Sequence, residues 1–358
     1  MRYTPESLET AARQILLSFG CDDSEATIVA DHLIRANLAG HDSHGIGMLP
    51  MYGAQVKDGN LIPNQTPEML APAGAICLVD AKRGFGHRMA LMALDHAMET
   101  AAEHNVAVLG LRNAGHVSRI GTYSEYCAQH GFVSIHFVNV WGHGPLVAPH
   151  GSSRAGFSTN PISIGMPVDG QASPMLDMAT STVAMGKVRV AHNRGEKIPL
   201  GWVIDIDGTD TDDPSPMWLQ RSGALTAFGA HKGSGLGIFV ELLAGALAGT
   251  ETVATGTAIP NGVFNNMFSI LVNPTGFDDR ASIEARVLEF CNELKSHCPA
   301  KDTKEVLLPG EPERRYSADR QANGIAVDDE TMSQLMTIAT AFNADTTSIV
   351  ESLQSIDG

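Results

Sequence analysis

The chain has 358 residues, of which 43% are hydrophobic and 18% are charged, a composition that fits one large or two ordinary globular domains. Its formal net charge of -16 argues against nucleic acids and anionic membranes as partners, because both require a basic surface. The five cysteines show no CxxC spacing, which argues against a disulfide framework or a structural zinc site.

The N-terminal sequence MRYTPESLETAARQ lacks the apolar segment of a secretion signal, and no stretch reaches about 18 uncharged apolar residues. We therefore expect a cytoplasmic protein whose cysteines stay reduced and whose chain does not span a membrane.

Two helices are predicted at the start of the chain. The first covers residues 4–20, with Thr4 as its cap and Pro5 in its first turn, and the second covers about residues 23–38. The sequence HDSHG at residues 41–45 follows the second helix directly. A histidine beside a serine and an acid can exchange protons near neutral pH, although a polar loop at a helix end would show the same letters.

The middle of the chain predicts alternating strands and helices. A helix is predicted from about 89 to 104, and strands are predicted at residues 75–80, 106–111, 132–140 and 268–274. Shorter strand-like segments are SIGMP, PMLDMA and GWVIDIDG. This order predicts an α/β protein with a central mixed β-sheet flanked by helices.

The last part of the predicted fold is again helical. Residues 233–249 predict a buried helix rich in small residues, and two final helices are predicted near 328–342 and 345–354. They begin at Asp328 and Asp345, which are good N-caps. We expect the helices of both ends to pack on the central sheet.

A second cluster of polar residues lies in NAGHVSRIGTYSEY, residues 113–126, between a predicted strand and a predicted helix. Backbone N–H groups and the helix dipole at such a position favour an anion, and Arg119 could add charge-assisted hydrogen bonds to a phosphate or carboxylate. An ordinary loop, with His116 in a structural role, is the alternative.

Two further segments suit a ligand. Asp177 ends a strand-like segment, where it could fix a histidine tautomer, accept from a sugar hydroxyl or cap a helix. His231 and Lys232 precede a glycine-spaced helix start that suits a phosphate, although Gly233, Gly235 and Gly237 would also permit a close helix contact.

Several motifs are missing from the sequence. No GxGxxG follows a strand and no GxxxxGK[ST] occurs, so neither a classical Rossmann fold nor a P-loop is supported. The sequence has no HExxH and no compact set of histidines and carboxylates, so no metal site is predicted.

Seven motifs, in this order, resemble the type 2 malate/L-lactate dehydrogenase family, which is distinct from the Rossmann-fold lactate and malate dehydrogenases. They are DSHGIGMLPMY, GHVSRIGTYSEY, STNPISIGMP, LDMATSTVAMGK, IPLGWVIDIDGTDTDDP, FGAHKGSGLG and LLPGE. The resemblance runs from about residue 3 to 340 and is closest to the bacterial hydroxycarboxylate dehydrogenase B branch.

The resemblance implies the family's own non-Rossmann NAD(P)-binding fold with helical N- and C-terminal parts. Residues 1–70 and 285–358 would form a helical, substrate-side domain, and residues 71–284 would form the central sheet and the NAD(P)-binding region. It also implies a homodimer, with the cofactor and the substrate held between domains.

The resemblance further implies that a 2-oxo acid and a 2-hydroxy acid are interconverted with NADH or NADPH. His44 would be the proton donor, supported by Ser43 and Asp177, with His116 as the second candidate for the acid–base role. The implied cofactor-binding residues are Ser118, Arg119, Ile120, Leu176, Asp177, Met178, Ala179, His231, Lys232, Pro309, Gly310 and Glu311. The implied substrate-side residues are Met48, Thr159 and Asn160.

Met48 departs from the family pattern. Many relatives have an arginine at this position, which is a natural clamp for the substrate carboxylate, whereas a methionine favours a bulkier or more apolar substrate. The carboxylate would then need another cation, with Arg119 and Arg154 as candidates.

Three other functions remain open from the sequence. Cyclic imine reduction, on piperideine- or pyrroline-2-carboxylate, belongs to the same family. A histidine-based metal hydrolase and a non-catalytic nucleotide-binding subunit belong to other classes, and the set of Ser43, His44 and Asp177 argues against the last of these.

Overall fold

The structure is a computed structural model that describes residues 1–70, 74–169 and 173–356. Its helices are α1 (Pro5–Ser18), α2 (Asp23–Leu38), α3 (Leu49–Lys57), α4 (Gly86–His104), α5 (Gly121–Gln129), α6 (Met185–Arg194), α7 (Ser215–Trp218), α8 (His231–Val240), α9 (Arg280–Ser296), α10 (Glu311–Asn323), α11 (Asp329–Ala341) and α12 (Thr346–Ser352). Two short 3-10 turns, Asp42–His44 and Ile46–Met48, follow α2, and a π-helical segment, Glu241–Ala248, continues α8.

The strands are β1 (Arg2–Tyr3), β2 (Glu68–Leu70), β3 (Ile76–Asp80), β4 (Val106–Gly115), β5 (Val133–Trp141), β6 (Ile162–Gly165), β7 (Met175–Met178), β8 (Val203–Ile204), β9 (Asp210–Thr211), β10 (Ala224–Leu225), β11 (Phe264–Val272) and β12 (Ile325–Ala326). The predicted strands and the predicted mixed α/β fold are therefore confirmed.

The central sheet, in the part of the chain that the structure describes, has seven strands in the order β2-β3-β4-β11-β5-β6-β7. Only the β3–β4 pair is parallel among these, and the other neighbours are antiparallel. The strand β11 inserts between β4 and β5 although it comes late in the chain. A smaller sheet pairs β10, β8 and β9.

The helix caps predicted from local sequence are confirmed. Thr4, Asp328 and Asp345 each accept a hydrogen bond from a backbone N–H in the first turn of the helix that follows. These caps satisfy donors that have no partner within the helix.

The expectation that the terminal helices pack on the sheet is wrong in its main part, because they pack chiefly on one another. Helix α1 contacts α2 and α12, α3 contacts α11, and α10 contacts α2. Their apolar stripes form one core, which includes Leu8 and Leu33 from the N-terminal part and Leu335 and Ile349 from the C-terminal part. A stripe of apolar residues predicts that a face is buried, but it does not specify the partner.

A second core lies between α4, α5 and one face of the sheet. Leu109 and Leu111 of β4 belong to this core, whereas Gly110 between them faces the opposite side and meets Ala248 of the π-helical segment. Helices thus cover both faces of the sheet. The domain bounds expected from the sequence stay a prediction, and the boundary at residue 71 lies outside the described residues.

The prediction of a buried helix at 233–249 is only half right. Val240, Ala244 and Ala248 are buried, but the side chains of Ile238, Phe239, Leu242 and Leu247 are exposed. We name these four residues, which lie on α8 and on the π-helical segment that continues it, the apolar face of α8. Hydropathy alone does not distinguish burial within a chain from exposure of an apolar surface.

The two ends of the chain meet in a short antiparallel ribbon. Arg2 pairs with Ala326 and Tyr3 pairs with Ile325. Among the described residues, no helix is both long and apolar enough to cross a bilayer.

Candidate active site

The turn that contains His44 is held from two helices. The Asn37 side chain of α2 donates to Asp42 Oδ1 at 2.7 Å and accepts from the Ile46 backbone N–H at 2.8 Å. Arg320 of α10 binds both carboxylate oxygens of Asp42, at 2.6 and 2.9 Å. Gly45 lies so close to the Asn37 amide that a β-carbon would overlap it. The turn therefore has a fixed conformation.

His44 lies half-buried in this turn. Its Nδ1 is 3.0 Å from Ser43 Oγ, and its backbone carbonyl accepts a 2.7 Å hydrogen bond from the Ser118 hydroxyl. Burial, with smaller effects of His41 and Arg119, lowers the pKa of His44 to about 4. The neutral imidazole is therefore the resting form at neutral pH.

His116, the second candidate for the acid–base role, lies beside His44. The two rings are nearly parallel, with centroids 5.7 Å apart and an interplanar angle of 20°. Burial, with the neighbouring His44, His87 and His143, holds the pKa of His116 well below its ordinary value. Two partly exposed imidazoles thus form one pair at the surface of the site.

The loop that contains His116 is positioned by a bulge in β4, at its pairing with β11. The strand register shifts between Asn265 and Met267, and the Asn265 and Asn266 side chains accept from the backbone N–H groups of Val117 and Asn113. Bulges commonly redirect side chains next to active sites. This support is a long-range effect that the sequence prediction missed.

Tyr52 and His87 also contact this site, and neither was predicted. The Tyr52 hydroxyl of α3 is 2.9 Å from His116 Nδ1 and 3.3 Å from His87 Nε2 of α4. Gly86, at the start of α4, allows the backbone of Gly115 and His116 to approach, because a β-carbon there would overlap both carbonyl groups. In the sequence, Tyr52 could have been noticed only because it lies a few residues after the HDSHG motif, in the segment LPMY.

Asp177 does not bind His44 in the way that the predicted relay suggests. Its Oδ2 accepts from the Gly121 backbone N–H at 3.0 Å, at the first residue of α5, and lies 3.4 Å from Arg119 Nε. Burial raises the pKa of Asp177, and the Arg119 guanidinium opposes that shift. Asp177 therefore caps a helix that is distant in sequence.

An anion lies at the start of α5, as predicted, but this anion is the carboxylate of Asp177 and not a bound ligand. Arg119 is buried and binds Glu125 at 2.9 Å as well as Asp177. With two carboxylates already on this guanidinium, its charge is compensated within the chain. Ser118 and Ile120, the neighbouring predicted residues, are also buried.

The predicted cofactor residues of β7 and of the LLPGE segment come together. Leu176, Asp177, Met178 and Ala179 are partly exposed at the end strand of the sheet. The Met175 backbone N–H donates to the Pro309 carbonyl at 3.3 Å. Gly310 has a φ of +87°, which favours glycine, and Glu311 accepts from the Leu308 N–H and from Lys295.

His231 and Lys232 are exposed at the start of α8. No side chain caps this helix, and Ala230 before it has a φ of +55°. Gly229 and Ala230 line a cavity of about 660 Å³ together with His150, Ser152 and other residues. His44 and His116 are not among the residues that line this cavity.

The three predicted substrate-side residues have different surroundings. Met48 is half-buried and packs partly against the helical core. The Thr159 carbonyl accepts from Thr180, and Asn160 is fully buried, where its amide donates to the Gly237 carbonyl and to Glu241. In residues 1–70, 74–169 and 173–356, no group of three histidine, cysteine or acidic side chains is arranged to hold a metal ion.

The sequence matches the malate/L-lactate dehydrogenase family over residues 3–336. Hydroxycarboxylate dehydrogenase B of Escherichia coli strain K12 is 40% identical over 332 residues, which are 91% of this chain and 90% of that protein. A solved structure of a putative malate/lactate dehydrogenase from E. coli has a TM-score of 0.93 and 37% identity, and covers 98% of both chains.

A more distant solved structure is that of Δ1-piperideine-2-carboxylate reductase from Pseudomonas syringae pathovar tomato. It is 27% identical, has a TM-score of 0.79, and covers 95% of this chain and 100% of its own. These similarities extend over nearly the whole chain. The chain therefore belongs to the malate/L-lactate dehydrogenase family, a family of oxidoreductases.

Proposed function

We propose that this protein interconverts a 2-oxo acid and a 2-hydroxy acid, with NADH or NADPH as the co-substrate. The observation that supports this most directly is the pair of partly exposed imidazoles, His44 and His116, 5.7 Å apart on two rigidly held loops. Reduction of a carbonyl places negative charge on its oxygen, and two imidazoles can together bind and protonate that oxygen.

In this proposal His44 exchanges the proton: the neutral ring accepts it from the substrate hydroxyl in the oxidative direction, and in the reductive direction the ring takes up a proton from solvent before it donates to the substrate oxygen. Its Nδ1 faces Ser43 Oγ at 3.0 Å, so the ring is oriented by that hydroxyl and its Nε2 is left for the substrate oxygen. Asp177 acts at a distance, because it fixes Arg119 and the start of α5 behind the site. A bound nicotinamide supplies the hydride in the reductive direction and accepts it in the oxidative one.

The residues of two regions fit a nicotinamide dinucleotide. The start of α8, with the exposed Lys232 beside it, offers the positive charge of the lysine and of the helix dipole to a phosphate. The partly exposed strand β7 and the adjoining Pro309–Glu311 segment would hold the nicotinamide half. Because Arg119 is already neutralised, we assign phosphate binding to Lys232 in preference to Arg119.

We further propose a homodimer that uses the apolar face of α8. Phe239 and Leu247 are 62% and 67% exposed, and several large exposed apolar side chains along one helical segment suit an interface. The protein would work in the cytoplasm, where its free cysteines would stay reduced.

The alternative substrate class is a cyclic imine such as piperideine- or pyrroline-2-carboxylate. The same hydride would reach a C=N carbon, and the similarity to the Pseudomonas reductase supports this class.

The proposal is tested with purified protein, NADH and NADPH, a panel of 2-oxo acids and the two cyclic imines. The absorbance loss of the reduced cofactor is the measurement. We expect turnover of at least one 2-oxo acid, whereas turnover of imines alone would replace the proposed substrate class. Lys232→Ala should weaken NAD(P)H binding in a fluorescence titration, and Lys197→Ala, at an exposed lysine bound to Asp212, is the control.

A further inference from the structure

A chain of hydrogen-bonding side chains extends from His116 into the interior. His116 Nδ1 is 2.9 Å from Tyr52 Oη, which is 3.3 Å from His87 Nε2. Tyr52 and His87 are both fully buried, on α3 and α4. Behind them, the His32 ring meets the edge of His87 with centroids 4.8 Å apart, and His32 Nε2 lies 3.2 Å from the Arg119 carbonyl oxygen.

Tyr52 has one hydroxyl proton and two imidazole neighbours, so it donates to one ring and accepts from the other. If Tyr52 donates to His87, then His87 must carry its proton on Nδ1. That nitrogen is buried without a hydrogen-bond partner among the described residues, and an unpaired buried N–H is costly. If Tyr52 donates to His116, then His87 Nε2–H donates to Tyr52. The Nδ1 atom of His87 then carries no proton, so only an acceptor lacks a partner.

The distances favour the same arrangement. An O–H donor gives a shorter hydrogen bond than an N–H donor, and the contact of Tyr52 to His116 is 0.4 Å shorter than its contact to His87. Burial raises the pKa of the Tyr52 phenol and, together with His32, lowers that of His87, so both groups stay neutral at neutral pH. The direction of the chain is therefore His87 to Tyr52 to His116.

We propose that Tyr52 and His87 are positioning residues that fix His116 as its Nε2–H tautomer, so that His116 meets the substrate oxygen as a neutral hydrogen-bond donor. This inference rests on the proposed function for its substrate, and it assigns different roles to the two imidazoles. His44 exchanges the proton with the substrate oxygen, and His116 keeps its Nε2 proton throughout.

The arrangement also opposes protonation of His116. An imidazolium needs a proton on Nδ1, which would have to donate to Tyr52, and Tyr52 would then have to turn its own proton toward His87. That reversal would force the His87 proton onto the unpaired Nδ1. A neutral donor is therefore the stable form, whereas a lone imidazole would take either tautomer.

The direct test is ¹⁵N NMR of the whole protein labelled at histidine, because bare and protonated ring nitrogens have different shifts. The His116 signal is assigned by its loss in His116→Gln. We expect protonated Nε2 and bare Nδ1 in the wild type, and a mixture of tautomers in Tyr52→Phe. Tyr123→Phe is the matched control, since it removes a buried hydroxyl that donates to the Val117 carbonyl instead of to a histidine.

Kinetics give the second readout. Tyr52→Phe should lower kcat roughly tenfold, the effect of one misplaced hydrogen bond, without a change in NAD(P)H affinity. His87→Leu should lower kcat similarly, and His87→Gln, which retains an N–H donor for Tyr52, should recover part of it.

A protonated Nδ1 of His116 in the wild type, or an unchanged tautomer in Tyr52→Phe, would overturn the inference. The tautomer is measured without substrate, so the result is independent of the activity assay. If no substrate of the panel is turned over while the tautomer is as expected, the proposed function fails and the assignment of Tyr52 and His87 stands.

Discussion

Arg320 and Asp42 join the end of the chain to the turn that presents His44. They are separated by 278 positions, yet both guanidinium Nη atoms bind the two carboxylate oxygens, and Arg320 also donates to the Asn37 carbonyl. A two-bond fork of this kind fixes orientation as well as distance. The geometry of the turn therefore depends on α10.

Arg320→Ala should reduce kcat/KM by about tenfold and lower the free energy of unfolding by about 1–2 kcal/mol, because it leaves Asp42 without its main partner. Arg320→Lys should recover only part of the loss, because a lysine cannot form the fork. The matched control is Arg286→Ala, whose exposed pair with Asp278 should contribute little. Equal effects of Arg320→Ala and Arg286→Ala on activity would show that the turn does not need the clamp.

His44→Ala should lower kcat by roughly 10²–10⁴, the usual range for loss of a general acid. Cofactor affinity should change little, because His44 is proposed to contact the substrate oxygen. The measurements are steady-state kinetics and a cofactor titration, with the exposed His297→Ala as control. A nearly normal rate would transfer the acid role to His116.

Stability should fall on mild acidification. Burial lowers the pKa of His44 to about 4 and those of His32 and His136 to about 3 from an ordinary value of 6.5. Between these values the unfolded chain binds protons that the folded protein does not, so the free energy of unfolding falls as the pH falls from about 6.5 to about 3. Above pH 6.5 these groups should have no effect.

The contribution of one histidine can be isolated with His136→Asn. His136 Nδ1 is 2.8 Å from Ser269 Oγ, and asparagine can retain that hydrogen bond without titrating. Urea unfolding at several pH values should show a slope smaller by up to about 1.4 kcal/mol per pH unit. An unchanged slope in His136→Asn would contradict the argument.

Met48 should favour apolar substrates. Its flexible side chain can pack against an aromatic ring at about 25 cal/mol per Å² of buried apolar area, whereas a second carboxylate there would lose its hydration without a partner. We expect a higher kcat/KM for phenylpyruvate than for oxaloacetate, and a shift toward oxaloacetate in Met48→Arg but not in Met48→Leu. A tenfold preference of the wild type for oxaloacetate would show that Met48 does not line the substrate pocket.

Phe239→Asp should dissociate the proposed dimer. A carboxylate in the middle of the apolar face of α8 would be desolvated without a partner in the interface. Light scattering should give a mass near 37.9 kDa for the variant and twice that for the wild type. Phe277→Asp, at an 83% exposed residue outside this helix, is the control. If the wild type is a monomer, the apolar face of α8 does not form a dimer interface.

The sequence was informative where the determinants are local. Thr4, Asp328 and Asp345 each accept a hydrogen bond from the backbone N–H three residues further along the chain. The HDSHG motif is likewise continuous in sequence, so the caps and the motif could be recognised without knowledge of the fold. The helices α9 and α10 were not predicted. Neither has a buried residue, and the sequence of α10, EPERRYSADRQAN, lacks the apolar stripe on which a helix prediction depends.

The parts that escaped prediction are contacts across long sequence distances. Asp177 caps α5 from 56 positions away, and Tyr52 reaches His116 from 64 positions away. From its residue type and position Arg119 could bind a phosphate, and only the structure shows that its guanidinium is paired with Glu125 and Asp177. Residue types specify possible partners, and the fold decides among them.

The ribbon that joins β1 to β12 sets an order for folding during synthesis. The residues of the sheet core lie between Cys77 and Leu271, so this core can form once that segment is available. The helical core needs Leu8 and Ile15 together with Ile325 and Leu335, and cannot close until nearly the whole chain is made. A nascent chain that ends before Arg320 would contain both His44 and His116 but not the clamp, so activity should appear only after Arg320 has been synthesised.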